Sequence, residues 1–170
     1  MKLNLGCAKD VKAGWVNVDM HYQHPDVINK NILDLEYEEE SIESIHAHDI
    51  IEHLSYSSAR ENLKKWFKWL KKDGELSLQT TNFDKMFEAY QSNVWTLHDL
   101  NHMLFAGVNY TDVGSQDCDF HKSVYSKDWL VKILGEMGYQ IISVQEDQID
   151  AALKNNPMCH NLNVTILAKK

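Results

Sequence analysis

Cysteine, proline and glycine are all scarce in this chain of 170 residues, at three, two and seven copies. Cys7, Cys118 and Cys159 are odd in number and far apart, which excludes a disulfide scaffold and a paired-cysteine zinc site. Pro25 and Pro157 both stand in loop-like contexts, and no internal repeat or low-complexity stretch marks a linker. One domain over residues 1–170 is therefore expected, at a length that buries a sizeable core. Long apolar runs are missing too, so no segment reads as a membrane span. Positive charge is in short supply, with 17 Lys and Arg against 25 Asp and Glu, a net charge of −8. That balance argues against a nucleic-acid backbone as the main partner. Met1 to Leu5 enters an extended run at once, leaving no room for a signal peptide. A cytoplasmic setting is the expectation.

Large aromatics, by contrast, are plentiful: five Trp and seven Tyr in a chain that is 44% hydrophobic. The pattern of elements alternates strand and helix. Leu3-Asn4-Leu5 breaks at Gly6-Cys7-Ala8, and Trp15-Val16-Asn17-Val18 ends on Asp19. Glycine lets a backbone approach a ligand closely, and a carboxylate at the tip of the next strand can accept the hydroxyl protons of a ribose. Val27 to Ile32 reads as an edge strand, with Asp34 and Leu35 just past its tip. Ser44 to Asp49 reads as a fourth strand, with Ile45 and Ala47 on one face and His46 and His48 on the other.

Ser58-Ala59-Arg60-Glu61 fits a capping box. Leu63, Trp66, Phe67 and Leu70 then recur at helical spacing. The interleaved Lys64, Lys65 and Lys68 face water, Lys71 and Lys72 suit the helix C-terminus, and Gly74 is expected to stop it. Glu75 to Thr81 alternates as a fifth strand. Phe83, Met86, Phe87 and Tyr90 make a short amphipathic helix. Residues 92–125 are irregular and aromatic, with Thr96 placed to cap a helix ending at Phe105. Long irregular stretches in small domains are commonly functional, so this one is expected to face substrate. Ser126 caps a helix with Leu130, Ile133, Leu134 and Met137 inward and Gly138 at its end. Tyr139 to Val144 and Asn163 to Ala168 complete the strands, with one helical turn expected at 149–153.

Four segments in order, LNLGCA, GWVNVD, HAHDIIEHL and WLKKDGELSLQT, together resemble the class I S-adenosylmethionine-dependent methyltransferases. The likeness is to a small bacterial type whose motifs run LNLGCG, GWxNVD, EHL and LKPGG, and GEMGYQIISV matches the late helix-to-strand segment. The resemblance implies an α/β fold, a single Rossmann-like sheet of order 3-2-1-4-5-7-6 with the last strand antiparallel. It implies that Asn4, Leu5, Gly6, Cys7 and Ala8 lie against the amino-acid part of the cofactor. Asp19 would meet the ribose, Asp34 and Leu35 the adenine, and His48, Asp49 and Ile50 the sulfonium, with Met20 also among the cofactor-binding residues. Ala8 stands where the family has a second glycine, and LKKDG lacks the family's proline. Only residues 6–15 separate the first two strands, too few for a parallel crossover through a helix. The first crossover helices are therefore expected to be reduced or absent. The exposed sheet face would be covered by segments 92–125 and 146–161, or by a second copy in a homodimer.

The reaction implied is methyl transfer from S-adenosylmethionine to an O or N atom of a small molecule, such as a saccharide or secondary metabolite, leaving S-adenosylhomocysteine. A hydroxyl acceptor would need a base, for which His121 and His48 are candidates. Asp117 and Asp119 stand beside His121, and His98 and His102 share a helix face. The alternative is a non-catalytic module that binds the cofactor or a nucleoside, as a subunit of a complex. His46, His48, Asp49, Glu52 and His53 could suggest a metal hydrolase, but their spacing fits no zinc signature. No metal is expected.

Overall fold

The computed structural model describes residues 1–105, 120–149, 153 and 162–170. Asp117, Asp119, Cys118, Cys159 and most of the expected turn at 149–153 lie outside the described residues. Seven strands form one sheet of order β3-β2-β1-β4-β5-β7-β6. They are β1 (Lys2–Leu5), β2 (Val16–Asp19), β3 (Val27–Asn29), β4 (Ile42–His48), β5 (Leu70–Thr81), β6 (Gln140–Glu146) and β7 (Asn163–Lys169). The first five are parallel, and β7 runs antiparallel between β5 and β6. This is the Rossmann-like methyltransferase architecture.

No helix interrupts residues 6–15 or 20–26. Two buried asparagines do the work there that helical hydrogen bonds do elsewhere. Asn17 accepts from the Lys12 N–H at 2.9 Å and donates to the carbonyls of Lys12, Trp15 and Asp26. Asn4 donates to Asn17 Oδ1 at 2.9 Å and to the Asp10 carbonyl. Both short crossovers are thus tied to the sheet by side-chain amides, which leaves few backbone groups unpaired.

Helix α1 (Tyr56–Trp69) buries Ala59, Leu63, Trp66 and Trp69, and α4 (Lys127–Glu136) buries Leu130, Ile133 and Leu134. Their apolar stripes join Leu3, Leu5, Ile45, Ala47, Leu76, Leu78 and Ile166 in one core. Trp66 is fully buried there, so truncating it to alanine costs about 4 kcal/mol. Helices α2 (Phe83–Gln91) and α3 (Leu97–Leu104) form a second cluster around Met86, Trp95, Leu100 and Met103, with Leu153 and Leu162. Thr96 caps α3 in a capping box with Asp99.

Three local expectations are corrected. The cap of α1 is Ser55, which accepts the Ser58 N–H, so the helix begins one turn early. It also ends at Trp69, and Lys71 and Lys72 belong to the start of β5. Lys71 pairs with Glu43 rather than with helix carbonyls. Asp73 supplies the left-handed residue of that turn, at φ 61°, and Gly74 is needed for a different reason. A Cβ on Gly74 would stand 2.8 Å from the Lys71 carbonyl. Third, β3 stops at Asn29, and Ile32–Asp34 is a 3-10 turn capped by Asn31.

The other face of the sheet carries Asn4, Asn17, His46, His48, Ser77, Gln79 and Thr165, placed by register on adjacent strands. His46, His48, Ser77, Gln79 and Thr165 remain half-buried. Val27 and Leu167 are the apolar members that register adds to this face, so that among the described residues it is mostly polar, in contrast to the apolar face under α1 and α4.

Candidate functional site

The strand order reverses between β1 and β4, and in open α/β sheets ligands bind at the carboxyl ends of the strands beside such a point. Gly6 closes β1 at φ +66°, and a Cβ there would meet Ile50 Cδ1 at 2.7 Å. The glycine therefore serves twice: it makes the turn and lets the tip of β4 pack on the tip of β1. The Gly6 and Cys7 N–H groups both donate to the Val18 carbonyl, at 2.8 and 3.1 Å. Ala8 adopts φ 40°, a conformation a Cβ disfavours.

A cleft of about 530 Å³ opens beyond these tips, within the range of small-ligand sites. Gly6, Ala8, Asp19, Met20, Asp49 and Ile50 line it, as do His21 and Tyr22. A smaller cleft of about 340 Å³ lies across the same loop on the open sheet face. Asn4, Leu5, Cys7, His48 and Lys9 line that one, and Gly6, Ala8 and Asp49 belong to both.

Asp19 ends β2 with most of its hydrogen-bonding capacity already used. Oδ1 accepts the N–H groups of His21 and Tyr22, each at 2.8 Å, and Oδ2 accepts that of Ala8 at 2.9 Å. Burial opposes ionisation, but the donors from Tyr22, His21 and Ala8 outweigh it and hold the carboxyl below the usual range. A carboxylate has about four lone-pair sites, so Asp19 has room for one further hydroxyl rather than two. Asp49, in the left-handed region at φ 51°, receives the Gln79 amide at 3.2 Å on both oxygens.

The remaining sequence candidates divide. Asn4 is buried and its amide is committed to Asn17 and Asp10. Burial, with Asp19 and Asp10 nearby, pushes the Cys7 thiol up to about 11, so it is an inert filler. His48 lies against His46 with ring centroids 3.6 Å apart and planes tilted by 31°, and shares a 2.8 Å hydrogen bond with Ser77 Oγ. Burial lowers both imidazoles to about 4, so they are neutral. Asp34 is exposed, Leu35 sits in the main core, and neither lines either of these two clefts. Lys30, Asn31, Ile32 and Leu33 occupy that wall instead, because β3 ends three residues earlier than its sequence suggests.

His121 does not line the larger cleft; His53 does. The two rings meet edge to face at 4.9 Å, and burial with His53 alongside lowers His121 to about 4. His53 and Lys122 are among the cleft residues that sequence reasoning missed, with His21, Tyr22 and Lys30 to Leu33. The place of His53 and Lys122 is set by a seam between the turn at Ile51–His53 and residues 121–125. The Glu52 carbonyl accepts the N–H groups of Lys122 and Ser123, and Ser123 Oγ donates to the Leu54 carbonyl. Beneath that seam the Glu52 side chain is 1% exposed. No well-formed hydrogen bond reaches its carboxyl, and burial raises it to about 8. Among the described residues no three of His, Cys, Asp and Glu converge as a metal site would require.

No protein-family model and no curated protein matches the chain. Solved structures do. A methyltransferase dependent on S-adenosylmethionine from Methanosarcina mazei superimposes with a TM-score of 0.65 at 15% identity, covering 99% of this chain and 91% of that one. Another from Archaeoglobus fulgidus gives 0.63 at 14% identity, over 99% and 85%. The 1,6-didemethyltoxoflavin-N1-methyltransferase of Burkholderia thailandensis, solved with 1,6-didemethyltoxoflavin and S-adenosylhomocysteine, gives 0.62 at 11% identity, over 99% and 70%. At these identities the likeness is one of fold.

Proposed function

We propose that the chain binds S-adenosylmethionine and transfers its methyl group to an O or N atom of a small molecule, a saccharide or secondary metabolite. The observation that carries this reading is the pairing of Gly6 with Asp19 at neighbouring strand tips, opening on one cleft in a sheet of this order. The residues fit the cofactor. The larger cleft suits the adenosine, with Asp19 accepting one ribose hydroxyl and Asn31 to Leu33 against the base. The smaller cleft, beside Lys9, suits the amino-acid end.

When bound, the cofactor supplies a methyl already activated by its sulfonium. The protein's task is then orientation, which can supply a large share of the rate. Asp49 and Asp19 place negative charge along the cleft, which favours a cation there. A hydroxyl acceptor must also lose a proton. His53 is on the wall to take it, with His121 packed behind; His48, on the smaller cleft, is tied to Ser77.

Calorimetry with S-adenosylhomocysteine tests the reading: binding is expected, and its absence at high concentration would remove the proposal. Asp19→Ala should weaken that binding by roughly tenfold or more, the worth of a charged hydrogen bond. His53→Gln should leave binding intact and abolish transfer to a hydroxyl acceptor. Transfer at an undiminished rate would exclude His53 as the base.

A further inference from the structure

More than half of the described lysines lie against a carboxylate, Lys65 on Glu36 and Lys127 on Glu146 among them. Two that face the larger cleft do not. Lys30 and Lys122 line it, and neither has an ion pair among the described residues. The carboxylates that share the cleft are engaged elsewhere: Asp19 with three backbone N–H groups and Asp49 with Gln79. In a chain of net charge −8, Lys30 and Lys122 thus bring two ammonium groups to the cleft, from opposite ends of its lining, with no carboxylate partner among the described residues. They are not suited to a sulfonium, which is itself a cation. The cofactor's one carboxylate belongs at its amino-acid end, in the smaller cleft.

Lys122 is also anchored. Its N–H donates to the Glu52 carbonyl at 2.7 Å, and Ser123 is fixed to the Leu54 carbonyl. The backbone thus delivers an exposed ammonium to the lip of the cleft beside His53 and Leu54. We infer that Lys122 receives an anionic group, a carboxylate or a phosphate, carried by the methyl acceptor. The inference rests on the cofactor reading above. An ammonium acts on either anion as a point charge, so the two are distinguished by experiment.

The test uses the full chain saturated with S-adenosylhomocysteine and titrated with benzoate, phenyl phosphate and the neutral benzyl alcohol, followed by ligand-observed NMR. At least one anion should bind several-fold more tightly than benzyl alcohol, and the tighter of the two names the group. Lys122→Ala should weaken that anion by about five-fold, Lys122→Arg should restore it, and added salt should weaken it in the wild type. Lys132→Ala, which removes an exposed charge on α4, should change nothing. Affinity for S-adenosylhomocysteine should stay within about two-fold throughout. Anions that bind no better than benzyl alcohol, or equally well to Lys122→Ala, would overturn the inference and leave the cofactor reading standing. Failure of S-adenosylhomocysteine to bind would remove both.

Discussion

Glu52 is a carboxyl in surroundings that disfavour its charge. A carboxyl buried without a well-formed hydrogen bond is kept neutral, and its value near 8 lies above the ordinary 4.5. The folded chain therefore holds a proton that the unfolded chain releases between those two values. The stability associated with the neutral acid is fully present below about 4.5 and is lost as pH rises through 8. Glu52→Gln keeps the shape and cannot ionise. Thermal unfolding from about pH 5 to about pH 9 should show the wild type losing stability relative to the variant as pH rises. Parallel curves would mean that Glu52 is ionised in the fold. Ala8 poses the opposite case, a side chain where a glycine would be unstrained. Ala→Gly exchanges usually destabilise, but at φ 40° the change should be neutral or stabilising by up to about 1 kcal/mol. Urea denaturation measures it, and a clear loss would show that the loop carries no strain.

At the scale of elements, the shortened crossovers hang on one amide. Asn17 serves Lys12, Trp15, Asp26 and Asn4 at once. Asn17→Ala strips partners from several buried groups, each of which costs about 1–3 kcal/mol when left unmade. A total loss of about 3 kcal/mol is expected in chemical denaturation. A loss comparable to that of an exposed asparagine would mean that the crossovers are held some other way. The seam between the Ile51–His53 turn and residues 121–125 is the second such joint. It brings His53 and Lys122 onto one wall, though the two segments lie far apart in sequence.

For the whole molecule, the sheet has one apolar side under α1 and α4 and one side that is mostly polar among the described residues. The polar side gives little apolar drive for a second copy to dock there. Sedimentation should therefore report one copy, of 19.7 kDa, and a stable dimer broken by Ser77→Arg would show that the face is an interface after all. Ligand linkage acts on the same scale. S-adenosylhomocysteine at about 100 times its Kd should raise the melting temperature by about 8 °C. No shift would count against the cofactor reading independently of calorimetry.

The order of strands and helices was readable from periodicity, because alternation and helical spacing are local. So was the loss of the crossover helices, since residues 6–15 are too few whatever they pack against. Gly6 and Asp19 could be singled out only because four motifs in order surround them; by itself, each reads as a turn residue after a short strand. The ends of elements were less legible. Ser55 rather than Ser58 caps α1, and β3 stops at Asn29, because the choice among neighbouring polar residues depends on what the core demands. The cleft is lined in consequence by residues 30–33 and not by Asp34 and Leu35. Tertiary structure alone decided three things: that Glu52 lies buried, that His53 stands in front of His121, and that Lys122 joins Asp49 around one cleft. Each depends on sheet order, which brings the ends of β1, β4 and β5 together from distant parts of the chain. Sequence spacing records which residues share a face of one element. It carries no distance between elements, and the cleft is made of those distances.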